Sequence, residues 1–248
     1  MWPFFLAAFL LDLLVLPLAV LCLLLPPLVA AKHKNQTSGV LLLPGSGMNT
    51  NEFWVGARLL RQALPDHLVT CFDYAQSAPA ANIQQYAEKT LAHLQTLSAE
   101  TGIKRWAVIG HSLGGLVAAQ VLVLADSNRD NGFSVTALVT IASPWRGAPL
   151  LDVKATALRS CRSRMHPRHQ QMQPGSAFLT DLTKNIEPST YKLCCFGSVH
   201  DALVPEWYPE TCYLESFSLF GHYSIVLSPG LWREVAAFVK LREQSNRR

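Results

Sequence analysis

Short apolar runs alternate along the chain with longer segments in which apolar residues recur every three to four positions. A short run bounded by turn residues predicts a buried strand, and the wider spacing predicts a helix with one buried face. The candidate strands are 40–43, 68–72, 106–109, 135–141, 193–196 and 213–219. The candidate helices are 53–64, 83–97, 116–124 and 231–241. This alternation predicts an α/β fold with a mostly parallel central sheet and helices on both of its faces.

One stretch of the chain breaks this alternation. Residues from about 150 to 189 are basic and rich in Pro, Gln and Ser, and they contain only short helical patterns. We therefore expect one domain over residues 39–245, with a small cap or lid inserted at about 150–189. The length agrees with this expectation, because single α/β domains commonly reach ~200–250 residues.

The first 31 residues form an almost wholly apolar segment, which is interrupted by Asp12 and by prolines such as Pro17. A polar linker over residues 32–38 follows and opens with Lys32-His33-Lys34. Crossing a bilayer takes ~20 residues, so the apolar segment is long enough to do so. It is predicted to be a membrane anchor, either single-pass or, because Pro17 permits a kink, re-entrant.

A cleavable signal peptide is the main competing interpretation, since Val29-Ala30-Ala31 places small residues at a plausible cleavage site. A segment buried in the core of the protein is the third. However, no Lys or Arg precedes the apolar run, and the run is about twice as long as the usual ~7–15-residue signal core. If the segment is retained, the positive charges that follow it favour a domain on the cytoplasmic side of the membrane. Cleavage would instead give a secreted or periplasmic domain.

Charge and cysteine content narrow the classes of partner. The formal net charge is +4, and most Lys and Arg residues are scattered along the chain, which does not indicate nucleic-acid binding. A basic cluster between Arg159 and Arg168 weakly favours an anionic surface such as lipid headgroups. The six cysteines follow no zinc-ligand spacing, so we expect no metal site; reduced thiols and one or two disulfides both stay open.

The strongest chemical signal is a G-x-S-x-G motif that lies between a predicted strand and a predicted helix. Its residues are Gly110, His111, Ser112, Leu113 and Gly114. A serine on such a sharp turn has a strained backbone, and its hydroxyl is exposed at the head of the helix. The motif predicts a nucleophile elbow with Ser112 as the nucleophile. An ordinary glycine turn with an incidental serine is the alternative.

A serine hydroxyl needs a histidine to take its proton, and the order expected along the chain is serine, acid, histidine. The downstream histidines are His166, His169, His200 and His222. His166 and His169 lie in the basic irregular stretch, where a solvated surface role is expected, and His200 directly precedes an acid. His222 lies in a loop between the last predicted strand and the last helix, so it is the predicted base.

Asp201 is the candidate for the acid. It follows the predicted strand 193–196 and the turn Gly197-Ser198, just past the carboxyl end of a strand, where functional groups collect in open α/β sheets. The other downstream acids fall in the predicted cap, later in the chain or within a strand. A carboxylate at this position would hold the tautomer of His222 and stabilise its charged form. A loop-capping aspartate and a surface histidine are the alternatives.

Acyl transfer also requires hydrogen-bond donors directed at the oxyanion. The amide of Leu113, directly after the nucleophile, is one predicted donor. The second is expected in the glycine-rich loop after the first strand, where we assign the amide of Ser46, with Gly45 and Gly47 as possible substitutes. This chemistry requires neither a metal nor an organic cofactor.

Further segments extend the pattern. They are Ile141-Ala142-Ser143-Pro144-Trp145-Arg146-Gly147-Ala148-Pro149, Ser198-Val199-His200-Asp201-Ala202-Leu203-Val204-Pro205 and Gly221-His222-Tyr223-Ser224-Ile225. With the elbow, they resemble the lipase-type branch of the α/β-hydrolases, which includes bacterial triacylglycerol lipases and GPI-inositol deacylase-like proteins. The resemblance covers roughly residues 39–240 and implies the α/β-hydrolase fold.

Two positions depart from that family pattern. Pro44-Gly45-Ser46-Gly47 stands where the lipases usually carry His-Gly, and Trp145 replaces a frequent histidine. Neither change removes a backbone donor, but both leave the shape of the acyl pocket open.

These observations lead to the hypothesis of a serine hydrolase of the lipase or esterase type that acts on lipid or acyl esters and is tethered to a membrane. An acyltransferase or a thioesterase could use the same residues. A catalytically silent, membrane-tethered binding protein with this fold is the alternative from a different class, because a fold alone does not determine function. Oligomeric state, acyl-chain length and headgroup preference do not follow from the sequence.

Overall fold

The computed structural model describes residues 10, 12, 13, 36–76, 79–128, 130–148, 166–204, 208, 213–217 and 220–245. Most of the predicted membrane anchor and of the linker lies outside these residues, as does the first half of the predicted cap. Within the described residues, none of the helices combines the length and the apolar character needed to cross a bilayer.

A six-stranded sheet forms the centre of the described structure. Its strands are β1 (Ser38–Leu43), β2 (His67–Cys71), β3 (Arg105–His111), β4 (Ser134–Ile141), β5 (Leu193–Gly197) and β6 (Tyr213–Ser216). Their order across the sheet is β2-β1-β3-β4-β5-β6, and each neighbouring pair is parallel. Parallel neighbours require crossover connections, and described helices lie in the connections from β1 through to β5. The predicted α/β fold is therefore confirmed.

The helices in the described part of the chain follow the strands in alternation. They are α1 (Trp54–Ala63), α2 (Ile83–Thr101), α3 (Leu113–Ser127), α4 (Pro167–Gln171), α5 (Ala177–Ile186) and α6 (Pro229–Ser245). Three short 3-10 helices lie at Thr50–Phe53, Glu187–Lys192 and Ser224–Leu227. All four predicted helices are present, and their bounds differ from the predicted ones by a few residues.

Local sequence signals determine where α2 begins and ends. The side chain of Asn82 accepts a hydrogen bond from the amide of Gln85 at 2.8 Å, and the Gln85 side chain accepts one from the amide of Asn82 at 3.0 Å. This capping box satisfies two donors that the first turn of the helix leaves free. Gly102 then ends the helix in a left-handed conformation, with φ 75°.

The sheet separates two buried layers of the described residues. Along β1, Leu41 and Leu43 pack in one layer, which includes α2, α3 and α5, whereas Val40 and Leu42 pack in the other with α1 and α6. Alternate side chains of a strand point to opposite faces, so a strand buried on both faces is apolar throughout. This burial explains the short uninterrupted apolar runs in the sequence.

The described half of the predicted cap is a packed layer. Leu179, Leu182 and Ile186 of α5 are buried in the same cluster as α3. α5 begins at Ser176, whose hydroxyl accepts a hydrogen bond from the amide of Leu179 at 3.3 Å. Whether the whole 150–189 stretch acts as a cap or lid stays a prediction.

Candidate active site

Ser112 lies in the single-residue turn between the end of β3 and the start of α3. Its φ and ψ are 51° and −122°, a strained combination for a residue with a side chain. A Cβ atom on Gly110 would lie 2.2 Å from the carbonyl of Gly114, and one on Gly114 would lie 2.2 Å from the carbonyl oxygen of Leu43. Glycine is therefore required at both positions for the elbow to close. The structure has the strand–serine–helix geometry that the motif predicts.

The structure brings Ser112, His222 and Asp201 together from three separate parts of the chain. Nε2 of His222 is 3.0 Å from the Ser112 hydroxyl, and Nδ1 of His222 is 2.8 Å from Oδ2 of Asp201. The other oxygen of Asp201 accepts hydrogen bonds from the amides of Leu203 at 2.9 Å and Val204 at 2.8 Å. These donors hold the carboxylate in place, and the carboxylate in turn orients the imidazole towards the serine.

A second carboxylate–histidine pair lies directly beside the first. Nδ1 of His111 is 2.5 Å from Oε1 of Glu52, and both side chains are buried. Nε2 of His111 is 2.9 Å from the carbonyl oxygen of His222. Because a carbonyl oxygen only accepts, that nitrogen carries a hydrogen and donates it. His111 therefore connects the elbow to the loop that bears His222.

Burial and charge act in opposite directions on His111. Burial lowers the pKa of the imidazole, but the Glu52 carboxylate beside it and the His222 carbonyl more than offset this, and the net pKa of His111 is raised above its usual value. The charged form donates from both ring nitrogens, one to each of these partners. In that form the two side chains make a buried ion pair whose hydrogen bonds are satisfied.

Glu52 also reaches the loop where the second oxyanion donor is expected. Its Oε2 accepts a hydrogen bond from the amide of Gly45 at 2.8 Å. Tyr74 donates its hydroxyl to the carbonyl oxygen of Pro44 at 2.7 Å. Gly45 thus uses its amide within the protein, which disfavours it as the substitute donor. Ser46 lies with Ser112 in the wall of the same pocket, and Leu113 begins the helix at the elbow.

Residues 40–239 match the sequence profile of the Alpha/beta hydrolase family. The chain belongs to the alpha/beta hydrolase family. Its sequence has no significant match among curated proteins.

Solved structures share the fold of this hydrolase at low sequence identity. Lipase B of Aspergillus fumigatus is 16% identical with a TM-score of 0.57 over 80% of this chain, which spans only 51% of that lipase. The mature lipase BlEst2 of Bacillus licheniformis is 15% identical with a TM-score of 0.60, covering 86% of this chain and 94% of its own. A bacterial membrane phospholipase A described as a virulence factor is 16% identical with a TM-score of 0.54, covering 96% and 93%.

A cavity of about 150 Å³ opens next to Ser112 in this hydrolase. Most of its described wall is apolar and consists of Met48, Pro144, Ala148, Met172, Leu203 and Val204. Gly45, Ser46, His111, His169, His222 and Tyr223 complete the described lining. Apolar walls with a few polar groups at one end are typical of small-molecule pockets.

One sequence expectation needs revision at this pocket, and the structure also locates Trp145. His169 was expected on a solvated surface, but it is half-buried in the pocket wall, where burial and then the neighbouring Arg168 charge lower the pKa of its imidazole. Trp145, which departs from the family pattern, is buried and donates its ring N–H to the hydroxyl of Thr140 at 3.1 Å. The Trp145 side chain is therefore part of the core.

Sequence reasoning overlooked Glu52 and assigned His111 only to the elbow. The two residues are 59 positions apart, and no motif joins them. The available signal was weak: a glutamate directly before the predicted helix 53–64, in the segment that follows the glycine-rich loop. Because the two residues are so far apart along the chain, no local pattern in the sequence indicates their contact.

Proposed function

We propose that this hydrolase cleaves carboxylic esters, and lipid or acyl esters in particular, through Ser112, His222 and Asp201. The proposal rests chiefly on one observation: a serine in a strained elbow has its hydroxyl 3.0 Å from a histidine whose other nitrogen is held by a buried carboxylate. This is the arrangement that activates a serine hydroxyl as a nucleophile.

In the first half of the reaction, Oγ of Ser112 attacks the acyl carbon while Nε2 of His222 takes the hydroxyl proton. The negative oxygen of the tetrahedral intermediate is stabilised by the amides of Leu113 and Ser46. Asp201 stabilises the imidazolium and keeps its ring in place. When the intermediate collapses, the ester C–O bond breaks, and His222 donates the proton to the departing alcohol.

In the second half, His222 removes a proton from water, and the resulting nucleophile attacks the acyl group on Ser112. The second tetrahedral intermediate uses the same two amides. Its collapse releases the carboxylic acid and returns the proton to the Ser112 oxygen. The described residues supply each step without a cofactor.

The apolar pocket beside Ser112 and the apolar N-terminal segment both favour a lipid ester as the substrate. An enzyme that is held at a membrane meets such a substrate at high local concentration. The fold shared with a membrane phospholipase A agrees with this choice. We propose that residues 1–31 hold the enzyme at the membrane with its domain on the cytoplasmic side; cleavage of the segment would place the domain in the periplasm or outside the cell.

Hydrolysis of p-nitrophenyl esters from acetate to palmitate, together with labelling by a fluorophosphonate, tests the proposal. Wild type should hydrolyse esters and be labelled, and Ser112→Ala should lose both properties. Ser127→Ala, which changes an exposed serine at the far end of α3, is the matched control and should behave as wild type. Labelling or hydrolysis that survives in Ser112→Ala would refute the mechanism. The preferred chain length distinguishes an esterase from a lipase.

A further inference from the structure

Asp12 interrupts the apolar N-terminal segment, and its carboxylate contacts the loop that carries His222. Oδ2 accepts a hydrogen bond from the amide of His222 at 2.6 Å. Oδ1 accepts from the amides of Tyr223 at 3.1 Å and Ser224 at 2.9 Å, and from the Ser224 hydroxyl at 2.8 Å. One carboxylate thus receives four hydrogen bonds from three consecutive residues.

The loop is shaped to admit this carboxylate. A Cβ atom on Gly221 would lie 2.3 Å from Oδ2 of Asp12, so a side chain there would displace it. The amide of Gly221 donates to the Ser224 hydroxyl at 2.8 Å, and that hydroxyl donates to Asp12. Hydrogen bonds to a charged acceptor are stronger than those between neutral groups. Loss of the carboxylate would leave several loop donors in need of new partners.

His222 is consequently held at three points by three different parts of the chain. Asp12 holds its amide at 2.6 Å, His111 holds its carbonyl at 2.9 Å, and Asp201 holds its ring at 2.8 Å. The ring and carbonyl contacts come from the domain, whereas the amide contact comes from the N-terminal segment.

We propose that Asp12 is a positioning residue that fixes the backbone of the His222 loop. The N-terminal segment would then contribute a residue that the active site needs. The inference rests on the ester hydrolase function proposed above. It has a consequence for processing: cleavage after Ala31 would remove Asp12, so the active enzyme retains the segment. It also places Asp12 against the domain, so the membrane contact proposed for residues 1–31 would be made by other residues of the segment.

The test compares the full-length protein with Asp12→Asn and Leu13→Asn, all in the same detergent. Asparagine at position 12 keeps the size but replaces one accepting oxygen with a donor that faces backbone N–H groups. We expect kcat to fall about 10- to 100-fold, because a misplacement of about 1 Å near the reacting groups has an effect of this size. KM should stay within about twofold, because the pocket wall is unchanged. Leu13→Asn introduces the same amide at an exposed neighbour and should match wild type.

Hydrogen exchange of the backbone over residues 221–227 provides a second readout that does not depend on activity. The amides of residues 222–224 should exchange at least about tenfold faster in Asp12→Asn, while the amides of β3 stay as protected as in wild type. Ser224→Ala should speed the exchange of these amides less in the Asp12→Asn protein than it does in wild type, because both substitutions disrupt the same hydrogen-bond network. A purely structural role for Asp12 would lower stability and β3 protection together without a selective change in kcat.

Wild-type kcat and wild-type loop exchange in Asp12→Asn would overturn the inference. A failure of the proposed ester hydrolase function is distinguishable from a failure of the Asp12 proposal. If the function is wrong, the wild-type protein itself would neither hydrolyse esters nor be labelled at Ser112. In that case the exchange measurement still decides whether Asp12 holds the loop.

Discussion

The site contains two carboxylate–histidine pairs whose imidazole rings are only 5.0 Å apart between centroids. Asp201 holds Nδ1 of His222 at 2.8 Å, and Glu52 holds Nδ1 of His111 at 2.5 Å. In both pairs the carboxylate also accepts backbone hydrogen bonds. What differs is the group that faces the second nitrogen of each ring.

Nε2 of His222 faces the Ser112 hydroxyl, which can give up its proton, whereas Nε2 of His111 faces a carbonyl oxygen, which has none to give. The first arrangement supports proton transfer, and the second supports only a fixed hydrogen bond. We infer that the role of each histidine is determined by this second partner and that the neighbouring carboxylate does not distinguish them. Three substitutions and one pH series test this comparison.

Asp201→Asn should lower kcat by about four orders of magnitude. The oxygen of asparagine can still accept from the amides of Leu203 and Val204, so its NH₂ group faces Nδ1 of His222. That nitrogen must then accept, which leaves the hydrogen on Nε2 and prevents it from taking the Ser112 proton. Steady-state ester hydrolysis measures the loss, and Asp130→Asn, at an exposed aspartate, is the matched control. A variant within tenfold of wild type would refute the assignment of Asp201.

Glu52→Ala should lower the free energy of unfolding by about 3–5 kcal/mol, because it leaves a buried imidazolium without its counter-charge. It also removes the acceptor for the Gly45 amide. Denaturant unfolding measures the change. Glu88→Ala, at an exposed glutamate on α2, should stay within about 0.5 kcal/mol of wild type. Equal effects from the two substitutions would mean that the buried pair contributes no special stability.

Glu52→Gln should leave kcat within about tenfold of wild type, in contrast to the amide substitution at Asp201. Glutamine can accept from the Gly45 amide and donate to Nδ1 of His111, while Nε2 of His111 keeps its hydrogen for the His222 carbonyl. His111 would then be neutral with its hydrogen on Nε2, which preserves its hydrogen bond to the His222 carbonyl. Parallel kinetics on the two amide variants sharpen the comparison. A loss at Glu52→Gln as large as that at Asp201→Asn would show that His111 takes part in proton transfer.

The smallest effect concerns pH. Burial lowers the pKa of His111, but the Glu52 carboxylate and the His222 carbonyl more than offset this, so folding raises the pKa above its usual value of 6.5. The resulting stability is fully present below the pKa of the unfolded state and is lost as pH rises through the folded-state pKa. Wild type should therefore lose stability relative to Glu52→Gln above pH 6.5. Melting temperatures of both proteins at several pH values between 6 and 9 check this; parallel curves would exclude a charged His111.

The elbow shows how much of this site local sequence can predict. The strand, Ser112 and the helix are consecutive, and the requirement for Gly110 follows from the backbone of Gly114 within the same turn, whereas the requirement for Gly114 comes from Leu43 on β1. Asp201 and His222 were located by their positions just after a predicted strand and just before a predicted helix, and the structure brings both to Ser112. Strand ends on one edge of a parallel sheet converge, so chain order predicts proximity there.

Glu52 and Asp12 show where such prediction stops. Glu52 is 59 residues from His111, and Asp12 is 210 residues from His222. No periodic pattern, motif spacing or turn residue in the sequence indicates either contact. Each contact depends on how complete helices, strands and loops pack against one another. In the sequence, Asp12 is only a polar residue within an apolar run. His169 is only one histidine in the basic stretch 150–189, and nothing there indicates its place in the pocket wall.

The sequence by itself determined the order of strands and helices, the elbow and the three candidate residues, since these depend on apolar periodicity and on interactions between near neighbours in the chain. Only the tertiary structure decided what surrounds them: the second buried pair, the carboxylate on the His222 loop and the apolar wall of the pocket. The physical reason is that a buried polar group must find its hydrogen-bond partner in space, and folding can bring that partner from any distance along the chain.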